Sequence, residues 1–595
     1  MDEKIRINTI ICLLIFILIV ATTYPLIFKI NTCIPGFFST DESIAIVWNA
    51  WFIKFSLLNH ISIKTTDFIA YPFGIDFYTN RPTSYIWVLI NFILPVLTTP
   101  VLTYNLQIIF NLFLSVLFTI FLMYYLTKNR TIALFSGVIF GFCPYMFVRS
   151  WQHLGETYLW PMPLFLWFLF RLKEDKSLIT KIIFVVSLIL AAINYDVIYY
   201  VFIILVAFLI YLMPKWKSNK LYINKIFLLS TIASVMLIPQ FFSVFKNLLF
   251  PMHSTASAHN PYFRPFEDLF TQSAKPLSYL LPSVAHPIFG KFTEQFIGTQ
   301  LYGISFTEHM LYLGWVPLIL AFVAFRKWRK RRREAELGTV PFGDSPHYKE
   351  DFYIGFFILL VIVAWLFSQP PWWKLGSLKI YMPSYFMYKI LPMFRAYCRF
   401  GIVVMLAVSV LAGFGLKFVL ERFKTQRAKI AVTTLFCGLV LFEFWNYPPF
   451  KVIDVSKVPA VYYWLKEQPG DFVIAEYPLD IIGPNEMYKF YQTAHEKKII
   501  NGTIPGSYAH KVAQKITKLS SPETARILKW MGVKYALVHR DGYLGTDLVE
   551  DREELEKIPQ NKGLKFVRSF PVQECPDEDI MCVQKTGPID VYEVR

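Results

Sequence analysis

Apolar segments long enough to cross a membrane recur along the chain from residue 8 to residue 446 and then stop. A helix of about 20 apolar residues crosses the roughly 30 Å hydrocarbon core of a bilayer and satisfies its own backbone hydrogen bonds there. This feature predicts an all-α polytopic membrane bundle. The residues after 446 lack such segments and are expected to form a separate domain outside the bilayer. About eleven candidate spans cover residues 8–29, 101–126, 131–147, 155–172, 179–194, 196–213, 225–247, 305–326, 352–368, 400–420 and 428–446.

The composition fits a membrane protein and argues against a nucleic-acid-binding one. Of the 595 residues, 55% are hydrophobic and only 17% are charged, which is too apolar for a soluble chain of this length. Residues 447–595 carry 20 Lys and Arg against 21 Asp and Glu, so the net charge of +17 belongs to the membrane part. Its basic residues lie beside the apolar segments, where membrane orientation accounts for them. We therefore expect no nucleic-acid partner.

Basic clusters set the predicted orientation, because Lys and Arg accumulate in cytoplasmic loops. They lie at Lys128 and Arg130 and within residues 171–176, 215–225, 326–334 and 421–429. Eleven spans place these clusters and the N-terminus on the cytoplasmic side of a plasma (inner) membrane. The transmembrane domain, residues 1–446, then carries outer loops at 30–100 and 248–304, with a surface helix near 83–99, and the domain 447–595 is extracytoplasmic.

Two adjacent carboxylates, Asp41 and Glu42, open a helical pattern in PGFFSTDESIAIVWNAWF, residues 35–52. Apolar residues follow at helical spacing: Ile44, Val47, Trp48, Trp51, Phe52 and Phe55. The pattern predicts an amphipathic helix at the outer membrane surface, where a carboxylate could reach both a lipid head group and an aqueous acceptor. Asp41 also fits a helix N-cap, since an acid there accepts backbone hydrogen bonds and suits the helix dipole. The two roles can coexist.

Four basic residues break the cytoplasmic bias in the outer loops: Arg149 and His153 in VRSWQH, and Arg395 and Arg399 in FRAYCRF. Arg presents a planar fork of donors that matches phosphate oxygens, and it stays charged at any relevant pH. These four residues are candidate ligands for a lipid phosphate. The alternatives are that they snorkel to lipid head groups or pair with a nearby acid.

Four stretches, through their order along the chain, carry a family resemblance: YPFGIDFYTNRP (71–82), FGFCPYMFVRSWQHLGETYLWPMPLFLWFLFRL (140–172), TEHMLYLGWVPLIL (307–320) and PMFRAYCRFGIVV (392–404). With a first span followed by an outer loop that contains the two carboxylates, they resemble the GT-C superfamily of integral-membrane glycosyltransferases. Within it, the chain is similar to protein O-mannosyltransferases and to bacterial YfhO-type proteins. The resemblance covers most of the membrane part and, more faintly, the tail.

The resemblance implies a transferase that moves a sugar from a polyprenyl-phosphate carrier to a cell-surface glycan, lipid or protein of the cell envelope. In that superfamily an acidic residue of the first outer loop is the catalytic base, so Asp41 is the expected base and Glu42 the alternative. Direct displacement with inversion needs one base, and cations hold the departing phosphate. The lipid-phosphate sugar is the donor substrate. Some relatives use a divalent cation and others do not; the histidines and acids of this chain form no recognised metal pattern, and no metal is predicted.

The rival function is a transporter or flippase of lipid-linked saccharides. It would need ionisable residues at mid-membrane and two related halves. Asp196 is the best candidate for a buried charge, but it falls at a predicted outer turn, and no half-to-half symmetry is visible. The sequence therefore favours the enzyme.

The tail has the pattern of an α/β domain. DFVIAEYPL and GVKYALVHR are typical of buried strands, and residues 457–467 and 521–531 have helical patterns. His495 and Lys498 lie in FYQTAHEKKIINGTIPG, residues 490–506, a stretch that in the similar proteins faces the membrane domain. They are candidates for a substrate contact, and the alternative is that they are ordinary polar surface residues. Cys575 and Cys582 in ECPDEDIMC could form a disulfide on an oxidising side of the membrane.

Overall fold

The computed structural model describes residues 3–36, 41–77, 84–249, 263–336, 347–446, 451–479, 482–505, 507–544, 549–576 and 580–595. The chain forms two compact units. Unit 1 comprises Met1–Thr23, Ser84–Trp87 and Ile108–Pro449, and unit 2 comprises Tyr24–Thr83, Val88–Gln107 and Phe450–Arg595.

The helices are, in chain order, α1 (Glu3–Thr22), α2 (Asp41–Leu58), α3 (Tyr85–Leu97), α4 (Pro100–Thr127), α5 (Arg130–Gly141), α6 (Pro144–Gln152), α7 (Pro161–Glu174), α8 (Leu178–Ala191), α9 (Tyr195–Leu212), α10 (Trp216–Leu249), α11 (Asp268–Thr271), α12 (Gly290–Glu294), α13 (Phe306–His309), α14 (Trp315–Glu336), α15 (Tyr348–Ser368), α16 (Pro383–Ile390), α17 (Gly401–Leu420), α18 (Gln426–Glu443), α19 (Ala460–Glu467), α20 (Ile482–His495), α21 (Tyr508–Ala513), α22 (Pro522–Trp530), α23 (Arg540–Leu544) and α24 (Val549–Lys557).

The strands are β1 (Cys33–Pro35), β2 (Thr65–Thr66), β3 (Ile75–Asp76), β4 (Trp372–Leu375), β5 (Leu378–Tyr381), β6 (Val452–Asp454), β7 (Val473–Tyr477), β8 (Lys498–Ile499), β9 (Val533–His539), β10 (Leu564–Phe570), β11 (Met581–Cys582) and β12 (Ile589–Val594).

The protein is a multi-pass membrane protein. Among the described residues, four helical runs are long and apolar enough to cross a bilayer: Pro100–Thr127, Tyr195–Phe242, Tyr348–Ser368 and Tyr397–Leu420. α5 and α6, bent by 40° at the break between them, would make a fifth span if they cross together. Each of the eleven predicted segments contains a helix, but the remaining crossings stay a prediction.

Helix α17 is the core of unit 1, and all of its residues except Lys417 and Val419 are buried. It packs against α5, α14 and α15. Glycines allow these close approaches, since a Cβ at Gly415 would lie 1.9 Å from the carbonyl oxygen of Leu320, and one at Gly413 would lie 2.3 Å from Ser136 Oγ. Small residues have this use at helix contacts in membranes, where backbones must come together without a hydrophobic driving force.

Unit 2 contains a mixed five-stranded sheet in the order β10-β12-β9-β7-β8. β7 runs parallel to β8 and β9, whereas β12 is antiparallel to β9 and β10. β7 and β9 are the two strands predicted in the tail, and α19 and α22 lie where its helices are predicted, so the α/β character is confirmed for these elements. The Cys575–Cys582 disulfide is formed.

The first predicted outer loop contributes to unit 2 through α2. Its apolar face is buried by protein, with Ile44, Val47, Trp48 and Phe52 each at most 2% exposed. Trp48 Nε1 donates a hydrogen bond of 3.1 Å to Gln492 Oε1 on α20, and Gln492 Nε2 donates to the carbonyl of Phe68 at 2.7 Å. The sequence prediction placed this apolar face on the membrane surface; in the structure, packing within unit 2 accounts for it.

Candidate functional site

Five charged side chains of unit 1 come together in what we call the ionic cluster. It consists of Arg149, Glu156, Asp196, Glu308 and Arg399. The sequence separates its members by up to 250 residues, so the fold of unit 1 is what assembles it. Two arginines face three carboxylates, which gives the cluster a formal charge of −1.

Each member lies near a helix end, where backbone groups are available to fix it. Arg149 is in the last turn of α6, and Glu156 lies in the 3-10 turn Leu154–Thr157 that follows. Asp196 is in the first turn of α9, where Asn194 Oδ1 accepts a 2.7 Å hydrogen bond from the Asp196 amide. An acid in a first helical turn is stabilised by the helix dipole.

The other two members are fixed by short helical turns. Glu308 lies in α13, whose N-cap Ser305 accepts from the Glu308 amide. Arg399 lies in the 3-10 turn Tyr397–Phe400, which is tied down by a 2.9 Å hydrogen bond from the Cys398 amide to the carbonyl of Gln272.

Arg149 is the inner cation of the cluster, and its side chain is fully buried. Its Nη2 and Nη1 donate to the two oxygens of Glu308 at 2.7 and 3.3 Å, and its Nε lies 3.0 Å from Glu156 Oε2. The guanidinium also lies 5.0 Å from the centre of the Tyr145 ring. A buried guanidinium that is paired on this many sides holds carboxylates in place and has no open face for a ligand.

Arg399 is the outer cation. Its Nη1 lies 2.7 Å from Asp196 Oδ2 and also pairs with Glu156, while its Nη2 and Nε donate to Glu308 at 2.5 and 3.0 Å. The Arg399 side chain is 17% exposed and that of Asp196 is 14% exposed, against 0% for Arg149. The Arg399–Asp196 pair is therefore the side of the cluster nearest to solvent.

A second group of cations adjoins Arg399. Arg395 Nη1 lies 3.0 Å from Asp268 Oδ2, and the amide of Arg264 donates to the carbonyl of Pro392 at 3.0 Å. Burial, together with the positive charges of Arg395 and Arg399, lowers the pKa of Arg264 to about 10. Arg264 thus lies within electrostatic reach of Arg395 and Arg399, and an anion near Arg264 would relieve that repulsion.

The sequence-predicted ligands have different surroundings in the structure. Arg149 and Arg399 are brought together in the ionic cluster, and Arg395 lies in the adjoining group. His153 ends α6 as its C-cap and is half-buried. Arg149 and Arg399 thus pair with nearby acids. This pairing is one of the alternatives to phosphate binding that the sequence left open.

The two predicted bases lie in the first turn of α2, in unit 2. The side chain of Asp41 is outside the part of the chain that the structure describes, although the residue begins the helix. Glu42 is exposed, and the next residue, Ser43, is buried and lies 3.0 Å from the Tyr104 hydroxyl.

Two described histidines, His286 in the predicted outer loop 248–304 and His309 just after it, have protein partners. His286 Nε2 lies 2.9 Å from the carbonyl of Phe442, and His309 Nε2 lies 3.0 Å from that of Thr271. Within the described ranges, no group of three or more His, Cys, Asp or Glu has the arrangement to hold a metal ion.

Sequence reasoning missed Arg264 and did not connect Glu308 or Asp196 with the arginines. Arg264 carries the same signal that identified Arg395, namely a basic residue in a predicted outer loop. Glu308 could not have been paired with Arg149 from sequence, because 159 residues separate them.

Comparison with solved structures shows a fold similar to that of a membrane arabinofuranosyltransferase. No family model and no curated protein sequence matches the chain. Among solved structures, arabinofuranosyltransferase AftD from Mycobacteria matches with a TM-score of 0.53 and 13% identity, over 99% of this chain and 40% of that chain. A variant of AftD matches with a TM-score of 0.50 and 14% identity, over 99% of this chain and 41% of that one.

A third structure, the oligosaccharyltransferase of Archaeoglobus fulgidus, matches with a TM-score of 0.45 and 11% identity, over 90% of this chain and 68% of that chain. The chain spans about 40% of the AftD length. At 13% identity the likeness to AftD is one of fold, and in that respect the resemblance predicted from the sequence is confirmed.

Proposed function

We propose that this chain is a membrane glycosyltransferase. It would transfer a sugar from a polyprenyl-phosphate-linked donor to a cell-surface glycan, lipid or protein on the outer face of the plasma membrane. The observation that carries the proposal is the fold likeness to an arabinofuranosyltransferase over 99% of the chain. The arginine group beside Arg399 supports the proposal that the donor carries a phosphate.

The reaction would be a single displacement. Asp41, or alternatively Glu42, takes the proton of the acceptor hydroxyl as its oxygen attacks the anomeric carbon of the sugar. The bond from that carbon to the phosphate oxygen breaks, and its electron pair leaves with the lipid phosphate. Attack opposite the leaving group inverts the anomeric configuration. The first turn of a helix suits a carboxylate that is ionised and ready to accept a proton.

The leaving phosphate needs cations that are positioned before it forms. Arg395, Arg399 and Arg264 are the proposed ligands, because each is only partly buried and the positive charges of Arg395 and Arg399 act on Arg264. His153 remains a candidate ligand at the end of α6. We assign Arg149 a positioning role, since it holds the two glutamates against which Arg399 is oriented.

A phosphate that reaches Arg399 must compete with carboxylates already bound there. Asp196 is the most exposed of them, so the Arg399–Asp196 pair is the one that a ligand could replace. Displacing that carboxylate would leave two cations and two glutamates, so the phosphate would meet a neutral cluster rather than a negative one. This exchange would couple donor binding to movement of Asp196.

The proposed topology has eleven spans, a cytoplasmic N-terminus and an extracytoplasmic C-terminal domain. The Cys575–Cys582 disulfide supports this orientation, because disulfides persist on the oxidising side of a plasma membrane.

The test is transfer of a labelled sugar from a panel of polyprenyl-phosphate donors to cell-envelope acceptors, by the purified protein in lipid vesicles. Labelled glycan that depends on the lipid-phosphate donor supports the proposal. Movement of donor across the bilayer without transfer would instead show a flippase. If donors bind but are neither transferred nor moved across the bilayer, the proposal is overturned.

A further inference from the structure

Unit 1 contains a second candidate site, which is lined by none of the residues of the ionic cluster. It is a pocket of about 530 Å³, which we call the basic pocket. Its walls come from the end of α7, the junction of α9 and α10, the last half of α14 and the start of α15. These are the segments in which the predicted cytoplasmic basic clusters lie.

The lining of the basic pocket has an excess of positive charge. Four cations, Lys173, Lys215, Arg331 and Arg332, face two carboxylates, Glu334 and Asp351. Arg331 Nη1 lies 3.2 Å from Asp351 Oδ1, and setting this pair aside leaves three cations beside one carboxylate. An anion is the ligand that such a lining would stabilise.

Aromatic contacts hold the cations at the pocket wall. Lys173 Nζ lies 5.1 Å from the centre of the Phe352 ring, and the Arg332 guanidinium lies 5.1 Å from that of Trp328. Lys215 Nζ donates to the Tyr348 hydroxyl at 3.1 Å. Because these side chains are already held in place, binding an anion costs less conformational entropy.

The pocket lies where several helices of unit 1 end or begin. Lys215 ends the 3-10 turn Met213–Lys215 between α9 and α10, and Tyr348 begins the apolar run Tyr348–Ser368. Beside the pocket residues of the α9–α10 junction, Met213 and Leu221 are 63% and 86% exposed. A basic site flanked by exposed apolar side chains at a helix end suits the head group of a lipid whose tails lie alongside.

The geometry points to a binding site for a phosphate-bearing anion at the predicted cytoplasmic surface, with an anionic phospholipid head group as its membrane source. A volume of about 530 Å³ accommodates a phosphodiester head group. The site is separate from the proposed transfer reaction and does not depend on it.

The test compares the binding of phosphatidylglycerol with that of phosphatidylcholine carrying the same acyl chains, by native mass spectrometry of the purified protein in detergent. The pocket variant carries Lys173→Gln with Arg332→Gln. The matched control carries Arg329→Gln with Arg333→Gln, which removes the same charge from α14 outside the pocket lining. Inorganic phosphate is added as a competitor in a separate arm.

We expect saturable binding of phosphatidylglycerol, with an apparent Kd that rises about tenfold or more in the pocket variant, since each cation near an anionic head group contributes on the order of 1 kcal/mol. The control should change Kd less than about twofold. Arg332→Lys, which keeps the charge, should retain most of the binding and shows that the site folds. Competition by inorganic phosphate at millimolar concentration would identify a free phosphate as a second source of the same ligand chemistry. Equal losses in the pocket and control variants, or equal binding of phosphatidylcholine, would overturn the proposal.

Discussion

Replacing Arg149 by methionine should destabilise the protein strongly. Methionine has a similar length and fills the space of the side chain, so lost packing is a small part of the effect. The change removes the inner cation of the ionic cluster and leaves Arg399 alone against three carboxylates. Two of these, Glu156 and Glu308, have side chains that are only 7% and 9% exposed, so water can stabilise them little.

The expected cost follows from the buried charges that lose their partner. Removing one member of a buried ion pair costs about 3–5 kcal/mol, because the remaining charge is uncompensated. For a large domain, in which 1 kcal/mol corresponds to about 2 °C, this is a fall in Tm of roughly 6–10 °C. Asp196→Asn should cost less than Arg149→Met, because it leaves two arginines against two carboxylates and so neutralises the cluster.

The measurement is thermal unfolding of the purified protein in detergent, followed by intrinsic tryptophan fluorescence. The double variant Arg149→Met with Glu308→Gln separates charge from packing, since it removes one of the stranded carboxylates and returns the cluster to a formal charge of −1. We expect its Tm to lie above that of Arg149→Met. A single variant that unfolds within about 2 °C of wild type, or a double variant less stable than the single, would refute this reasoning.

Three other outcomes are expected. Arg264→Gln and Arg395→Gln should each raise KM for the lipid-phosphate donor about tenfold in steady-state kinetics, since a charge-assisted hydrogen bond contributes roughly 1.5–3 kcal/mol. Burial lowers the pKa of His495 to about 3. The unfolded chain therefore takes up a proton below about pH 6.5 that the folded chain does not, and stability should fall by about 1.4 kcal/mol from pH 7.5 to pH 5.5. Hydrogen exchange of α20 would measure this loss. Cys575 and Cys582 should resist alkylation in native membranes until a reductant is added, as seen by mass spectrometry.

Each of these outcomes has a control. Lys389→Gln removes a cation from α16, close in sequence to Arg395, and an equal rise in KM there would show a general charge effect. His495→Gln should flatten the pH dependence, and a slope unchanged by it would assign the proton uptake to another group. Alkylation of both cysteines without reductant would contradict the disulfide.

The sequence predicts much of the secondary structure because the signals are local. α2 begins at Asp41, as the acid before an apolar helical pattern indicates, and β7 and β9 lie within the two predicted strand segments. The partners of these elements could not be predicted. Trp48 and Gln492 are 444 residues apart, and nothing in either segment indicates that α2 is covered by α20 instead of by lipid.

The same limit applies to the candidate site. Arg149 and Arg399 were identified because basic residues are rare in outer loops, which is a local signal. Their burial among Glu156, Asp196 and Glu308 depends on the fold of unit 1, which brings five separate segments together. Sequence reasoning thus found the cations, whereas the structure shows which of them are enclosed by carboxylates.

The most direct test of the proposed transferase compares wild type, Asp41→Asn and the control Asp67→Asn, a carboxylate of the same unit that pairs with Lys498. Donor binding and transfer of labelled sugar are measured on each protein in lipid. The proposal predicts that all three bind donor and that only Asp41→Asn loses transfer, by about 10²- to 10⁴-fold, the usual contribution of a general base. Equal transfer by Asp41→Asn and wild type would contradict the assignment of Asp41 as the base.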